Sequence, residues 1–435
     1  MGNALAKAQT VTYPPQARSY GCGRRRRVSH RGIPTPLIGL LLLGVAAIGC
    51  GAGHAQASAI TLTVDPSVAA DFATIGAAVA TEVAGNTYTV NVAPGNYTND
   101  FAVFNAATVV NASGVTDSTN MPPPNDKGVF TTVNPLTVNG LTFTATPDTG
   151  PNSLGSGIGA ALGYNSSAIR EQANGPNTLT LNGVTISNFQ MGVLTASNTG
   201  STYQDVVSIS NSNFFNNGFP TDPADPAAFG HAIYVGDAAA LDVSNTMVCG
   251  QQVGHDIKSR AASTTVTSSS LFVGTNAGAP AGCGVGSASL AIDIPNGGVA
   301  QVINDQLFQG DKTQNGALIA FGEEGLKQTT NSLAVSGTVF NGDGLSDSIG
   351  INERGGCAGP ITETNDTFNN VTTPVNASSG CVTTGTTTGT STTATVAAVP
   401  EPSALAVFGS SLILLLLGRG WLSRREPRGG ARLRT

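Results

Sequence analysis

The feature that most constrains this chain is a column of turn residues that returns at irregular intervals. Leu136-x-Val138 is followed by Gly140, Leu179-x-Leu181 by Gly183, Val207-x-Ile209 by Asn211 and Leu241-x-Val243 by Asn245. Val302 then precedes Asn304, Leu333-x-Val335 precedes Gly337 and Ile361-x-Glu363 precedes Asn365, while Ser268 holds the place in one further copy. Glycine and asparagine are the residues that tolerate a left-handed backbone. A column of them just past short alternating strands predicts a bend made once per coil. The copies lie 23 to 43 residues apart. Fixed strands joined by variable loops are what a parallel β-solenoid produces, in which each coil buries its apolar face only against its neighbours.

A second column follows from the same alignment. Ile233, Ile257, Ile292, Ile319 and Ile349 can be set at one position of successive coils. This places Gly230-His231 and Gly254-His255 at the start of the same strand on consecutive coils, so their 24-residue spacing is a coil length. Alternation sorts the faces. His231, Ile233 and Val235 are expected inside, as are His255, Ile257 and Ser259. Tyr234, Asp256, Lys258 and Arg260 are expected outside, with Asp293 on the next coil. Phe321-Gly322-Glu323-Glu324 and Ile351-Asn352-Glu353-Arg354 continue this strand and put Glu323, Glu324 and Arg354 where loops leave it.

The opening of the body adds a resemblance. Asp71–Val79 reads as a short helix and Tyr88–Tyr97 as strand, turn, strand. This resembles the start of secreted pectin-lyase-like right-handed β-helix proteins, in which a helix caps the apolar end of the stack. The fold expected is all-β: a single-stranded right-handed parallel β-helix over 58–377 with a short N-terminal capping helix. The resemblance specifies architecture only, because this fold hosts lyases, hydrolases, esterases and non-enzymes.

Both ends read as targeting segments. Arg24–Arg27 and Arg31, an apolar run from Leu37 to Ile48 and Ala55-Gln56-Ala57 form a signal peptide over 1–57. Cys50 offers an alternative lipidation site. Residues 378–398 are Ser/Thr/Gly-rich and read as a linker. Pro400-Glu401-Pro402, the apolar run Ala404–Leu417 and Arg424-Arg425 closely resemble the PEP-CTERM sorting signal of Gram-negative bacteria over 399–426, ahead of a basic tail at 427–435. The resemblance implies export to the envelope or extracellular matrix, recognition by an exosortase-type protease, and transient anchoring by a short membrane-sorting helix. A plain C-terminal anchor is the alternative.

Charge and cysteine narrow the function. Between these end segments lie seven Lys and Arg against 24 Asp and Glu, near −17, where the whole chain is −6. Such a surface repels nucleic acid. Four cysteines, Cys249, Cys283, Cys357 and Cys381, suit an exported chain; of three pairings, sequence neighbours are expected to bond.

Two of the seven body cations, Lys258 and Arg260, lie on one outward row. That row, with Tyr234, Asp256 and Asp293, is the candidate surface for an extracellular polysaccharide. In one reading the histidines stack as an internal ladder; in the other they edge a groove beside that row. Chemistry is conceivable in the second. Uronate elimination needs a base and a stabiliser of the developing anion, roles open to Lys258, Arg260 and His255. Asp256 and Asp293 offer oxygens that could hold Ca²⁺. A glycoside hydrolase would need facing carboxylates, for which Asp293 with Glu323 or Glu324 is the candidate pair. The rival expectation is a non-catalytic matrix or surface protein.

Overall fold

The computed structural model describes residues 57–384, apart from 147–166, 196–203 and several shorter stretches. The expected signal peptide up to Gln56, the sorting signal with Pro400, Glu401 and Pro402, and Cys357 lie outside the described residues. No helix among the described residues is long and apolar enough to cross a membrane.

The chain forms a parallel β-solenoid. Ten short strands make one sheet in strict chain order, each hydrogen-bonded to the strand one coil on: Ala102–Phe104, Gly128–Thr132, Ser167–Glu171, Met191–Thr195, Ile233–Val235, His255–Ser259, Leu290–Ile294, Ala317–Phe321, Ile349–Glu353 and Thr373–Asn376. The other two faces of the coil belong to a continuous twenty-stranded sheet, because the long strands Ala107–Thr119 and Leu136–Ala145 run through the bend between them. All pairings in both sheets are parallel; a small antiparallel hairpin, Pro220–Asp222 with Asp225–Phe229, leads into Gly230. The stack reaches Val382–Thr384, which pairs with Ile361–Thr364. One five-residue helix, Ile75–Val79, buries Ile75, Ala78 and Val79 in the main core.

The turn column is the bend. Gly140, Gly183, Asn211, Asn245, Ser268, Asn304, Gly337 and Asn365 all have φ between 47° and 76°. Such a residue breaks the regular ladder, so the next backbone N–H needs another acceptor. The next coil supplies it. Val184 N–H donates to Ser212 Oγ (3.2 Å), Thr246 N–H to Ser269 Oγ (3.2 Å), Ser269 N–H to Asp305 Oδ1 (2.6 Å) and Thr338 N–H to Asp366 Oδ1 (2.8 Å). All four acceptor residues are buried. A vertical file of side chains therefore staples coil to coil at the corner.

The isoleucine column is real but differs at its end. Ile233, Ile257, Ile292 and Ile319 are in register, and the next partner is Ile351, not Ile349. Ile349 pairs with Ala317 and packs in a separate small cluster on the other face. The disulfide Cys249–Cys283 is present, with Cα atoms 5.5 Å apart. Cys381 is also disulfide-bonded.

Several core positions hold acids. Asp117 replaces an apolar residue in register with Phe143, and burial pushes its carboxyl up to about 7; burial does the same to Asp305. In the unfolded chain both return to about 3.9. The folded state thus binds protons more tightly, and this contribution to stability is full below about pH 4 and lost as pH rises through about 7. Asp117→Asn, which keeps the oxygen that accepts from Asp100 N–H, is expected to flatten the fall in melting temperature between pH 5 and pH 8. An unchanged slope by scanning calorimetry would refute this assignment.

Candidate functional site

Tyr234, Lys258 and Asp293 are register partners on three successive strands of the ten-stranded sheet. Their side chains face outward, as alternation predicts. The residues before them do not follow alternation. Ala168 with Ile169, Ala232 with Ile233, Ala291 with Ile292 and Leu318 with Ile319 are consecutive residues that all enter the main core. The backbone bends at the first of each pair, and the ladder skips it: His255 pairs with Leu290 and Ile257 with Ile292. At Gly192, in the same place, a Cβ would come within 2.9 Å of the core ring of Phe214.

This bend inverts two expectations. Asp256 holds the inward place and is fully buried, so it joins neither a binding row nor a cation site. Neither of its oxygens has a hydrogen bond of ordinary geometry; burial drives its pKa well above the carboxylate range, with only partial relief from the Phe272 N–H. His255 and His231 lie on the outer side instead, buried among neighbouring side chains. Their rings stack with centroids 4.9 Å apart, and His255 N–H donates to His231 Nδ1 at 3.0 Å. Gly254, at φ 71°, allows this: any Cβ there would run into the Gly230 carbonyl and the His231 ring. The repeated Gly-His is therefore both a coil period and an outer-face stack.

From this stack a charged network runs outward. His255 Nε2 lies 3.2 Å from Asp293 Oδ2, and Lys258 Nζ lies 3.0 Å from the same oxygen. Lys258 also bonds Glu324 Oε1 at 2.9 Å. Arg260 grips Glu324 with Nε at 3.1 Å and Nη2 at 2.6 Å, and its guanidinium sits 5.2 Å from the Tyr234 ring centroid. Tyr234 in turn meets His231 edge-on at 5.3 Å. Glu323 and Arg354 form a looser pair at 3.9 Å further along.

Proton affinities follow from burial and neighbours. Burial pushes His255 down to about 3, helped by Lys258, and holds His231 well below the usual imidazole range. Both rings are neutral at neutral pH. Burial pushes Asp293 up to about 7 against the pull of Lys258. Burial alone would lower the Lys258 ammonium, but Asp293 and Glu324 outweigh it and raise it.

The expected roles change accordingly. Lys258 is a charged, doubly paired ammonium and not a free base. The basic row is neutralised where it stands, by Asp293 and Glu324. Asp293 and Glu323 place ligand oxygens within 4.8 Å of each other and of a His255 nitrogen. Asp293 is fully buried, so the two carboxylates do not face a sugar together as a hydrolase pair must. This set also fails to fit Ca²⁺: Asp256 is absent from it, an imidazole replaces an oxygen donor, and the Lys258 ammonium already lies against Asp293.

One outer-column residue was not singled out by sequence reasoning. Arg170 pairs with Leu194, which pairs with Tyr234. It belongs to the same outward file as Tyr234 and Lys258.

A cleft of about 410 Å³ lies elsewhere, on the twenty-stranded sheet between Thr61, Thr89, Thr137 and Thr180. It carries no titratable cluster.

A scan against protein-family models finds no match, and a search of curated proteins finds no relative. Among solved structures the chain is similar to a pectate lyase, Pel9A, at 12% identity and a TM-score of 0.40, over 75% of this chain and 78% of that one. It is also similar to the A-module of the mannuronan C-5 epimerase AlgE4 of Azotobacter vinelandii, at 10% identity and a TM-score of 0.27, over 68% of this chain and 90% of that one.

Removing one member of a buried ion pair leaves the other uncompensated, while replacing both by apolar groups restores much of the loss. Lys258→Ala is therefore expected to destabilise the protein by about 3 kcal/mol. Lys258→Leu with Asp293→Ala, matching the Leu194 and Ala320 found in the same file, is expected to recover most of it. A double variant no more stable than Lys258→Ala in urea melts would contradict the network.

Proposed function

We propose that this is an exported, envelope-associated protein that binds an extracellular polysaccharide on the outer face of its ten-stranded sheet, around Tyr234 and Lys258. One observation carries the reading. A file that holds Leu194 and Ala320 on neighbouring coils holds at its centre the buried pair Lys258 and Asp293, with neutral His255 against Asp293 and the more exposed Arg260 and Glu324 completing the network. Apolar residues would serve stability there equally well or better, so the network points to recognition. Strands about 4.8 Å apart present polar groups as a linear row, which suits an extended polymer. Tyr234, half-buried against Arg260 and His231, offers an aromatic edge for a sugar face.

In this reading the segment 1–57 directs export, and Pro400-Glu401-Pro402 with the apolar run behind it delivers the protein to an exosortase-type protease at the inner membrane. The helix Ile75–Val79 closes the N-terminal end of a right-handed stack.

A second reading, elimination from an acidic polymer, is favoured by His255. Its ring is neutral at neutral pH, its Nδ1 is unpartnered though buried, so the ring must turn outward to meet a substrate, and the Lys258 ammonium shares Asp293 with it. In that case His255 takes the proton and Lys258 stabilises the charge that develops.

A glycan array probed with the purified protein tests the proposal. Binding to at least one extracellular polysaccharide is expected, and Tyr234→Ala is expected to weaken it about tenfold, some 1.4 kcal/mol, with little change in melting temperature. Binding that survives Tyr234→Ala unaltered, or none across the array, would sink it. Unsaturated products absorbing in the ultraviolet, lost in His255→Ala, would establish the second reading.

A further inference from the structure

Among the described residues, Arg170 is in no ion pair. Its Nε and Nη1 are buried and have no hydrogen-bond partner. Among the described residues of its file, the other cation, Lys258, is matched by Asp293 and Glu324. In-register neighbours of Arg170 are Thr131 on one side and Leu194 on the other, neither of them charged. The acid that acts on it electrostatically is Glu171, the next residue. The Oε1 of that carboxylate accepts from Ala173 N–H at 2.5 Å and from Asn177 Nδ2 at 3.0 Å, and neither Nε nor Nη1 of Arg170 bonds it.

The backbone makes room for this side chain. Gly128, on the preceding strand, would bring a Cβ to 3.0 Å from the Arg170 Cβ. Any larger residue there would press on it.

A part-buried guanidinium with two unpaired donors costs free energy that a partner would recover. Its planar fork is matched to carboxylate and sulfate oxygens. We propose that Arg170 is an anion-recognition subsite, holding a carboxylate or sulfate of a glycan that lies along the ten-stranded sheet toward Tyr234 and Lys258. The inference rests on the polysaccharide reading above and adds a substrate class to it. From Arg170 to Lys258 there are three strand spacings, about 14 Å at ~4.8 Å each. A single chain of sugars can therefore touch both, with its acidic group at the Arg170 end. Lys258 and Arg260 add no net attraction for such a polymer, because Asp293 and Glu324 neutralise them. Selectivity for an acidic glycan then depends on Arg170.

The test uses the purified full-length protein, with oligogalacturonate as the carboxylate probe, dextran sulfate as the sulfate probe and unmodified dextran as the neutral probe. Wild type is expected to bind one anionic probe at least tenfold more tightly than dextran; which one identifies the source of the charge. Arg170→Gln is expected to abolish that preference, and Arg170→Lys to restore it in part, since the charge returns without the fork. Arg170→Gln is also expected to raise the melting temperature of the free protein, because an unmatched charge is removed; a purely structural arginine would give a fall. Anionic binding unchanged in Arg170→Gln overturns the inference and leaves the polysaccharide reading standing, as does wild-type binding to dextran alone. No binding to any of the three overturns both for these polymers.

Discussion

The vertical register between coils is the constraint on which everything else depends. Each strand hydrogen-bonds to the strand one coil away, so residues 20 to 43 positions apart in the chain become neighbours. Apolar inward files then fuse into one core running the length of the stack. The register survives the corners because left-handed residues turn the chain and side chains from the next coil take up the N–H groups this leaves. Ser269 serves Thr246 in this way and Asp305 serves Ser269. The corner is thus held by hydrogen bonds between coils, not within one.

The same register builds the candidate site. Outward files would be free surface on a single strand. Stacked, they shield one another, and His231, His255, Lys258 and Asp293 are all buried although none enters the main core. Low exposure is what moves their proton affinities: that of the imidazoles falls and that of Asp293 rises, while Lys258 keeps its charge because two acids are in contact with it. Glu324 comes from a loop two coils beyond Lys258, which ties the loop to the sheet. Charge on this face is therefore balanced in place around Lys258 and unbalanced at Arg170.

Much of this was legible in the sequence because it rests on local backbone chemistry. The bend column could be read because only a few residue types take a left-handed conformation, and all eight positions do so. The neighbourhood of Tyr234, Lys258 and Asp293 followed from the isoleucine column. What failed was strict alternation. Pairs such as Ala232-Ile233 and Ala291-Ile292 face the core together, yet in sequence they look like the ordinary in-and-out of a strand. One inward doublet reverses every residue before it, so His255 and Asp256 exchanged faces. Ile349 was set two residues out of register, since Ile351 is the partner of Ile319. Glu324 as a partner of Lys258 could not be read, since loop conformation carries no period. Arg170 could have been: extending the isoleucine column back through Val193 to Ile169 puts Arg170 in the outward file.

The central claim is that a glycan lies along the outer face of the ten-stranded sheet. A crystal structure of the protein with a bound oligosaccharide tests it most directly. The account predicts sugar residues in contact with Tyr234 and running across the strands parallel to the stack, between Arg170 and Lys258. Sugar density seated instead in the threonine-lined cleft of the twenty-stranded sheet, with the outer file of the ten-stranded sheet bare, would contradict it.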